Sequence, residues 1–257
     1  MPLENTTFHF KEFCTLDSSP DADFLIHSMD VMHSLPCIQF IKEQAIDMMD
    51  LKEGDDVLEI GCGHGQDAEM LANRVGATGI VMAIDLSQQM IQEAKKRSQS
   101  ANVIYEATDI FNVLLTKRFS ACYADRLLVS HSDYSEIFAK IISLVKSGGK
   151  ICLTDVDAIS ISIAPSNTVT RLVIEQIHKA FINPHMGSKL LSIFKSHDLK
   201  NIEMRTNTSR IKDFSVLSKI FQFKRILRQL VNNASISEGE AMGRNSISSN
   251  KKWHFCL

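Results

Sequence analysis

The stretch Asp56-Val57-Leu58-Glu59-Ile60-Gly61-Cys62-Gly63-His64-Gly65-Gln66 constrains the fold more than any other. Val57, Leu58 and Ile60 suit a strand buried on both faces, as in parallel sheets. Gly61, Gly63 and Gly65 then let the backbone turn sharply and approach a ligand with no Cβ in the way. Apolar residues recur at helical spacing over 66–75, Gly76 closes the run, and Ile80-Val81-Met82-Ala83-Ile84-Asp85 reads as a second strand ending in an acid. Strand, glycine loop, helix and strand in this order make a right-handed crossover, with the loop at the carboxyl ends of the strands.

The alternation continues. Ser87 can cap a helix over 87–97 that ends in Lys95-Lys96-Arg97. Strands are predicted over 102–105, 119–125 and 150–155, and helices over 111–115 and 134–145, the latter closed by a glycine cap at Gly148-Gly149. This pattern predicts an α/β fold with a doubly wound, mostly parallel sheet and its ligand at the switch point, where Glu59, Asp85, Asp109 and Asp125 each close or border a strand end. Before it, residues 1–23 read as an arm, followed by helices over 24–32 and from Pro36, the second carrying Ile38, Ile41, Ala45, Met48 and Met49 on one stripe. After Asp157 the alternation breaks: helices over 168–181 and 188–197, a strand over 201–206, and a long helix over 213–231 bearing Phe214, Leu217, Phe221, Phe223 and Leu230. The chain thus divides into an arm and helical cap (1–50) and a main domain (51–257) with helical insertions near 160–187 and 209–250. The helix over 213–231 is expected to be a mobile lid on an acceptor site, core packing against the sheet being the competing account.

G-x-G-x-x-G counted from Gly61 would need glycine at Gln66, which argues against a dinucleotide dehydrogenase. The spacing G-x-G-x-G with Glu59 before it instead resembles motif I of the class I S-adenosylmethionine-dependent methyltransferases. Asp85-Leu86-Ser87 with Met90 resembles the signature that follows that motif. Asp125-Arg126-Leu127-Leu128 followed by His131 is similar to small-molecule members related to the menaquinone and ubiquinone C-methyltransferases. The resemblance implies a seven-stranded sheet, with 252–257 as an antiparallel strand beside the sixth. It also implies S-adenosylmethionine as cofactor, with S-adenosylhomocysteine as product, held by Glu59, Gly61, Cys62, Gly63 and Gly65. Asp85 would take the ribose hydroxyls, Leu86 and Met90 would flank ribose and adenine, and Asp109 and Ile110 would meet the adenine edge. Asp125 borders the fourth strand end, and Arg126 could take a carboxylate. His27, Met29, His33 and Ser34 become candidates for the active-site wall.

A sulfonium methyl is already activated, so the protein must mainly align an acceptor and exclude water. A base helps where the acceptor is a hydroxyl or activated carbon. His131 is the first candidate, Asp155 or Asp157 the second and Tyr134 the third. The expected acceptor is a small lipophilic or aromatic molecule, with Arg225 or Arg228 near any anionic group. No metal is expected. The net charge of −2 disfavours nucleic acid, although ten Lys or Arg against three acids over 189–228 keep an RNA substrate open. A cofactor-binding protein without transfer activity, or one gripping a protein partner, also stays open. Six scattered cysteines, with no C-x-x-C pair, no export signal and no apolar run long enough to span a membrane, predict a cytoplasmic protein with reduced thiols, and a monomer or homodimer is expected.

Overall fold

The computed structural model describes residues 10–114, 118–164, 166–242 and 254–256. A 3-10 segment, Phe10–Ser18, leads into α1 (Ala22–His33) and α2 (Pro36–Met48). The alternating region follows as β1 (Asp56–Ile60), α3 (Gln66–Val75), β2 (Ile80–Asp85), α4 (Gln88–Arg97), β3 (Val103–Ala107), β4 (Phe119–Asp125), α5 (Tyr134–Leu144) and β5 (Val145–Thr154). The five strands are parallel in the order β3-β2-β1-β4-β5, the doubly wound arrangement the alternation predicts. Side chains alternate across it. Val57 packs with α2, α3 and α4 on one face, whereas Leu58 and Ile60 pack with α5 on the other.

Beyond β5 come β6 (Ser162–Ala164), α6 (Thr168–Ala180), α7 (Met186–Lys195), β7 (Arg210–Ile211), α8 (Phe214–Phe221), α9 (Phe223–Asn232), α10 (Glu238–Met242) and β8 (His254–Cys256). Asn167 and Thr170 form a reciprocal capping box that starts α6. The buried faces of α1, α6, α8 and α9 make a second apolar core, separate from the two faces of the sheet.

Several expectations change. Among the described residues the main sheet has five strands, not seven. Residues 201–206 form no strand: Asn201 is left-handed at φ 54°, Glu203 and Arg205 pair with each other, and Met204 stays 46 % exposed, so little apolar surface would be buried by pairing. β8 is antiparallel as expected, but it joins β6 and β7 in a separate three-stranded sheet; Lys252, Trp253 and Leu257 lie outside the described residues. Gly148 and Gly149 do not cap α5 but sit in a bulge of β5, since Val145 pairs with Phe119 and the next partner of β4 is Lys150, opposite Ala121. A Cβ on Gly149 would lie 2.7 Å from the Ser120 carbonyl oxygen.

The long helix over 213–231 is broken at Gln222, whose φ of 49° is left-handed. In one straight helix Phe221 and Phe223 would point about 200° apart. The break turns both inward, where their rings stack with centroids 6.0 Å apart. The expected lid is therefore packed against α1 and α6, not against the sheet. The short helix expected over 111–115 is a 3-10 turn, Ile110–Asn112, with Leu115 outside the described residues. Among the described residues no helix is long and apolar enough to cross a membrane.

Candidate functional site

The glycine loop leaves β1 with three left-handed residues, Gly61 (φ 71°), Gly63 (φ 53°) and Gly65 (φ 86°). The Gly61 and Cys62 amides donate to Ile84 O at 2.8 and 2.9 Å, which pins the loop to the end of β2. A Cβ on Gly63 would stand 2.5 Å from the Met29 methyl group, and one on Gly65 2.6 Å from Tyr105 Oη. Asp85, closing β2, accepts the Gly63 amide at 2.9 Å through one oxygen and the Ser87 amide at 2.9 Å through the other. Burial pushes its carboxyl above the usual range against these two bonds. Ser87 caps α4 by accepting the Met90 amide at 3.1 Å. Asp17, from the N-terminal 3-10 segment, accepts the Gln88 and Gln89 amides at 2.8 and 3.1 Å and the Ser87 hydroxyl. The arm is thereby latched across the end of β2.

A cavity of about 1470 Å³ runs from this loop over the ends of β1, β2 and β4 and on along β5. That exceeds the usual size of a site for one small ligand and leaves room for two. Gly61, Gly63, Asp85, Leu86, Met90, Asp109, Ile110, Asp125 and Arg126 all border it, as do His131, Asp155 and Asp157. Glu59, Cys62 and Gly65 stand back from its wall. Of the four wall candidates on α1 and just after it, Met29 reaches the cavity; His33 faces a smaller cavity of about 360 Å³ behind the loop, shared with Gly65, and His27 and Ser34 border neither. Tyr134 does not line the cavity; its ring carries the Lys189 ammonium 5.8 Å from its centroid. Leu86 is half exposed, Met90 is buried against the helical core, and Asp109 caps its 3-10 turn by accepting the Phe111 amide at 2.9 Å.

The end of β4 holds the densest charge. Asp125 accepts Arg126 Nε at 3.0 Å, Arg126 Nη2 at 2.8 Å and the Thr154 hydroxyl, with Lys42 Nζ at 3.0 Å. Burial alone would raise the Asp125 carboxyl, but Arg126 and Lys42 outweigh it and hold it well below the usual carboxylate range. Lys42 Nζ also donates to Asp67 at 2.6 Å, and Tyr123 Oη lies 3.4 Å from the same carboxylate. Glu59 is fully buried beside them with one oxygen unpartnered; burial, reinforced by Asp67, pushes its carboxyl well up. Lys42 and Asp67 escaped the reading of the sequence, yet each occupies a buried-stripe position, Lys42 at helical spacing from Ile38, Ala45 and Met49, and Asp67 from Leu71 and Val75. A charge on an apolar stripe is the signal that could have found them.

Among the candidate bases, His131 Nδ1 lies 2.8 Å from Leu127 O, and its Nε2 lies 3.7 Å from Cys14 Sγ. Cys14 donates to Ser130 O at 3.4 Å, and burial, helped by Asp85 and Asp133, pushes its thiol up to about 11. Asp155 accepts the Val129 amide at 3.1 Å and the Val156 amide at 3.0 Å. Burial still drives it up to about 7, with Asp125 adding to the rise. Asp157 keeps one buried oxygen unpartnered. Phe181, Leu190, Leu191, Phe194, Ile220 and Phe221 give the cavity an apolar flank. Arg225, expected near an anionic group, bonds instead to Asp21 and Gln222, and Arg205 to Glu203, so the basic run over 189–228 is partly neutralised.

Comparison with known proteins follows the same lines. Residues 51–206 match the methyltransferase domain family. Over 148 residues the chain is 28 % identical to 2-phytyl-1,4-naphtoquinone methyltransferase of Nostoc punctiforme, covering 56 % of this chain and 62 % of that protein. It is 31 % identical over 131 residues to the ubiquinone biosynthesis O-methyltransferase of Coxiella burnetii, covering 49 % and 54 %. The chain spans about half the length of the curated relatives it matches. In fold it resembles the YcgJ protein of Bacillus subtilis, with a TM-score of 0.60 and 16 % identity over 85 % of this chain and 94 % of that one. The N-methyltransferase NodS of Bradyrhizobium japonicum, solved with S-adenosyl-L-homocysteine, gives 0.50 and 13 % over 79 % and 90 %. By the extent of the family match, which takes in the glycine loop and all five parallel strands, the chain belongs to the methyltransferase domain family.

Proposed function

We propose that the chain is an S-adenosylmethionine-dependent methyltransferase for a small lipophilic or aromatic acceptor. The observation that carries this is Asp85, a half-buried carboxylate at the end of β2 that clasps the Gly63 amide at the cavity wall. Each of its oxygens accepts one backbone N–H and keeps further acceptor capacity for a ribose diol. The glycine loop offers a backbone surface free of Cβ atoms, Asp109 and Ile110 offer the edge for adenine, and the Asp125–Arg126 pair offers both charges to an amino-acid end. These residues suit that cofactor, which when bound supplies a methyl group on a sulfonium. Glu59 and Cys62 support the loop from behind.

The apolar flank of Phe181, Leu190, Leu191, Phe194, Ile220 and Phe221 excludes water from the acceptor and favours a hydrophobic ring or chain. Asp155 is the better base than His131. Its carboxyl, poised at about 7 on the cavity wall, can hold the proton leaving an acceptor hydroxyl, whereas His131 Nε2 is covered by Cys14. The two quinone-pathway relatives support a phenolic or quinol-like acceptor. We place the reaction in the cytoplasm, in a monomer or homodimer that needs no metal and no nucleic acid, with the cap (1–50) and the two helical insertions enclosing the acceptor. The alternative of a protein partner gripped by the apolar helix loses its motive, because α1 and α6 cover that face. Titration calorimetry with S-adenosylhomocysteine tests the cofactor; no saturable heat at millimolar product would refute it.

A further inference from the structure

Five ionisable side chains from four elements converge under the cavity floor: Lys42 of α2, Glu59 of β1, Asp67 of α3, and Asp125 with the following Arg126 at the end of β4. Lys42 comes from outside the segment 51–206 that matches the family, and its ammonium bridges Asp67 at 2.6 Å and Asp125 at 3.0 Å while its side chain is 6 % exposed. A lysine so placed gives up its hydration and keeps its charge only because two carboxylates take its place. Asp125 in turn orients the Arg126 guanidinium through two bonds and accepts the Thr154 hydroxyl, and Lys42, Asp125 and Arg126 all reach the cavity wall.

We propose that Lys42 is a positioning residue for the cofactor site: through its ammonium, α2 clamps Asp125 in the orientation from which Asp125 holds Arg126 toward the cavity. This rests on the cofactor reading above. The groups facing Lys42 are Asp67 on α3, Asp125, Tyr123 and Arg126 on and after β4, Glu59 on β1, His64 in the glycine loop and His33 on α1. Burial would lower the Lys42 ammonium, and Asp125 with Asp67 outweighs it, so the lysine stays charged throughout the neutral range. Without it, Arg126 alone faces two buried carboxylates, and the cluster takes up a proton as the pH falls.

The test compares wild type, Lys42→Met and Lys42→Arg by titration calorimetry with S-adenosylhomocysteine at pH 5.5 and 8. Wild-type affinity should change less than about twofold between the two, whereas Lys42→Met should lose about tenfold at pH 8 and about a hundredfold at pH 5.5, with Lys42→Arg restoring both to within about threefold. The protein without product gives a second readout: the melting temperature of Lys42→Met should fall furthest below wild type at pH 8, and the gap should narrow toward pH 5.5 as the orphaned carboxylates protonate. Equal loss of affinity at both pH values with a constant melting gap, or no loss at all, would overturn the proposal. Lys42→Gln carries the same comparison if Lys42→Met does not fold. Failure of the wild type to bind would refute the cofactor reading, and the melting gap would still decide whether Lys42 holds Asp125.

Discussion

Replacing Asp155 by asparagine should change the pH dependence of stability in a direction the structure fixes. The carboxyl is half-buried, and its loss of solvent pushes it up to about 7, so between the usual carboxylate range and that value the folded protein holds a proton that the unfolded chain has released. Stability from this group is therefore lost as pH rises. At about 1.4 kcal/mol per tenfold the whole effect is about 4 kcal/mol, of which about 3 kcal/mol falls between pH 5 and pH 8. Glu59 and Asp85 are also raised by burial, but both variants keep them, so their shares cancel in the comparison. Asparagine has one acceptor oxygen for the two amides of Val129 and Val156, which costs about 1 kcal/mol at pH 5, where the native carboxyl is largely protonated. Asp155→Asn should thus be less stable than wild type by about 1 kcal/mol at pH 5 and more stable by about 2 kcal/mol at pH 8. Urea unfolding followed by circular dichroism at four pH values from 5 to 8 measures the gap. Parallel stability curves would refute the burial argument. If Asp155 is also the base, methyl transfer in wild type should rise with pH through about 7, and the variant should lose that rise.

The glycine loop and Asp85 were legible because their geometry is local. Alternating glycines impose left-handed backbone whatever surrounds them, and an acid closing an apolar run lies at a strand end by construction. The parallel direction of the strands in a doubly wound sheet followed from strict alternation. Glu59 shows the limit of that reasoning. Strand periodicity places it on one face, but only the packed structure reveals that Lys42 and Asp67 stand beside it there. His131 shows another: the arm that covers its Nε2 with Cys14 carries no periodic signal, so nothing in the sequence ties residue 14 to residue 131.

The errors beyond β5 have a common cause. Periodicity reports which side chains want burial, not which surface buries them. The apolar run over 213–231 did predict burial, but one left-handed residue, Gln222, splits the expected single helix into two that close a core with α1 and α6. Residues 201–206 have strand-like spacing with only Ile202 and Met204 as apolar members, too little to fix a register on β5.

Other predictions follow from the same contacts. Asp85→Ala should weaken S-adenosylhomocysteine binding by about 1 to 3 kcal/mol in calorimetry, and unchanged affinity would remove Asp85 from the site. Leu217→Ala, which empties a fully buried position in the helical core, should cost about 2 to 5 kcal/mol in urea unfolding, and a loss under 1 kcal/mol would mean that this core is loosely packed. Hydrogen exchange decides whether α8 and α9 move as a lid. Swinging them open would expose Leu217, Ile220, Phe221, Phe223, Ile226 and Leu230, at a cost of about 10 kcal/mol or more, as large as the stability of a typical domain. Their amides in the protein without product should therefore exchange as slowly as those of β1 and β4, and acceptor entry must use smaller movements, such as release of the arm latched by Asp17. Exchange of α8 and α9 within seconds, with β1 and β4 still protected, would restore the lid.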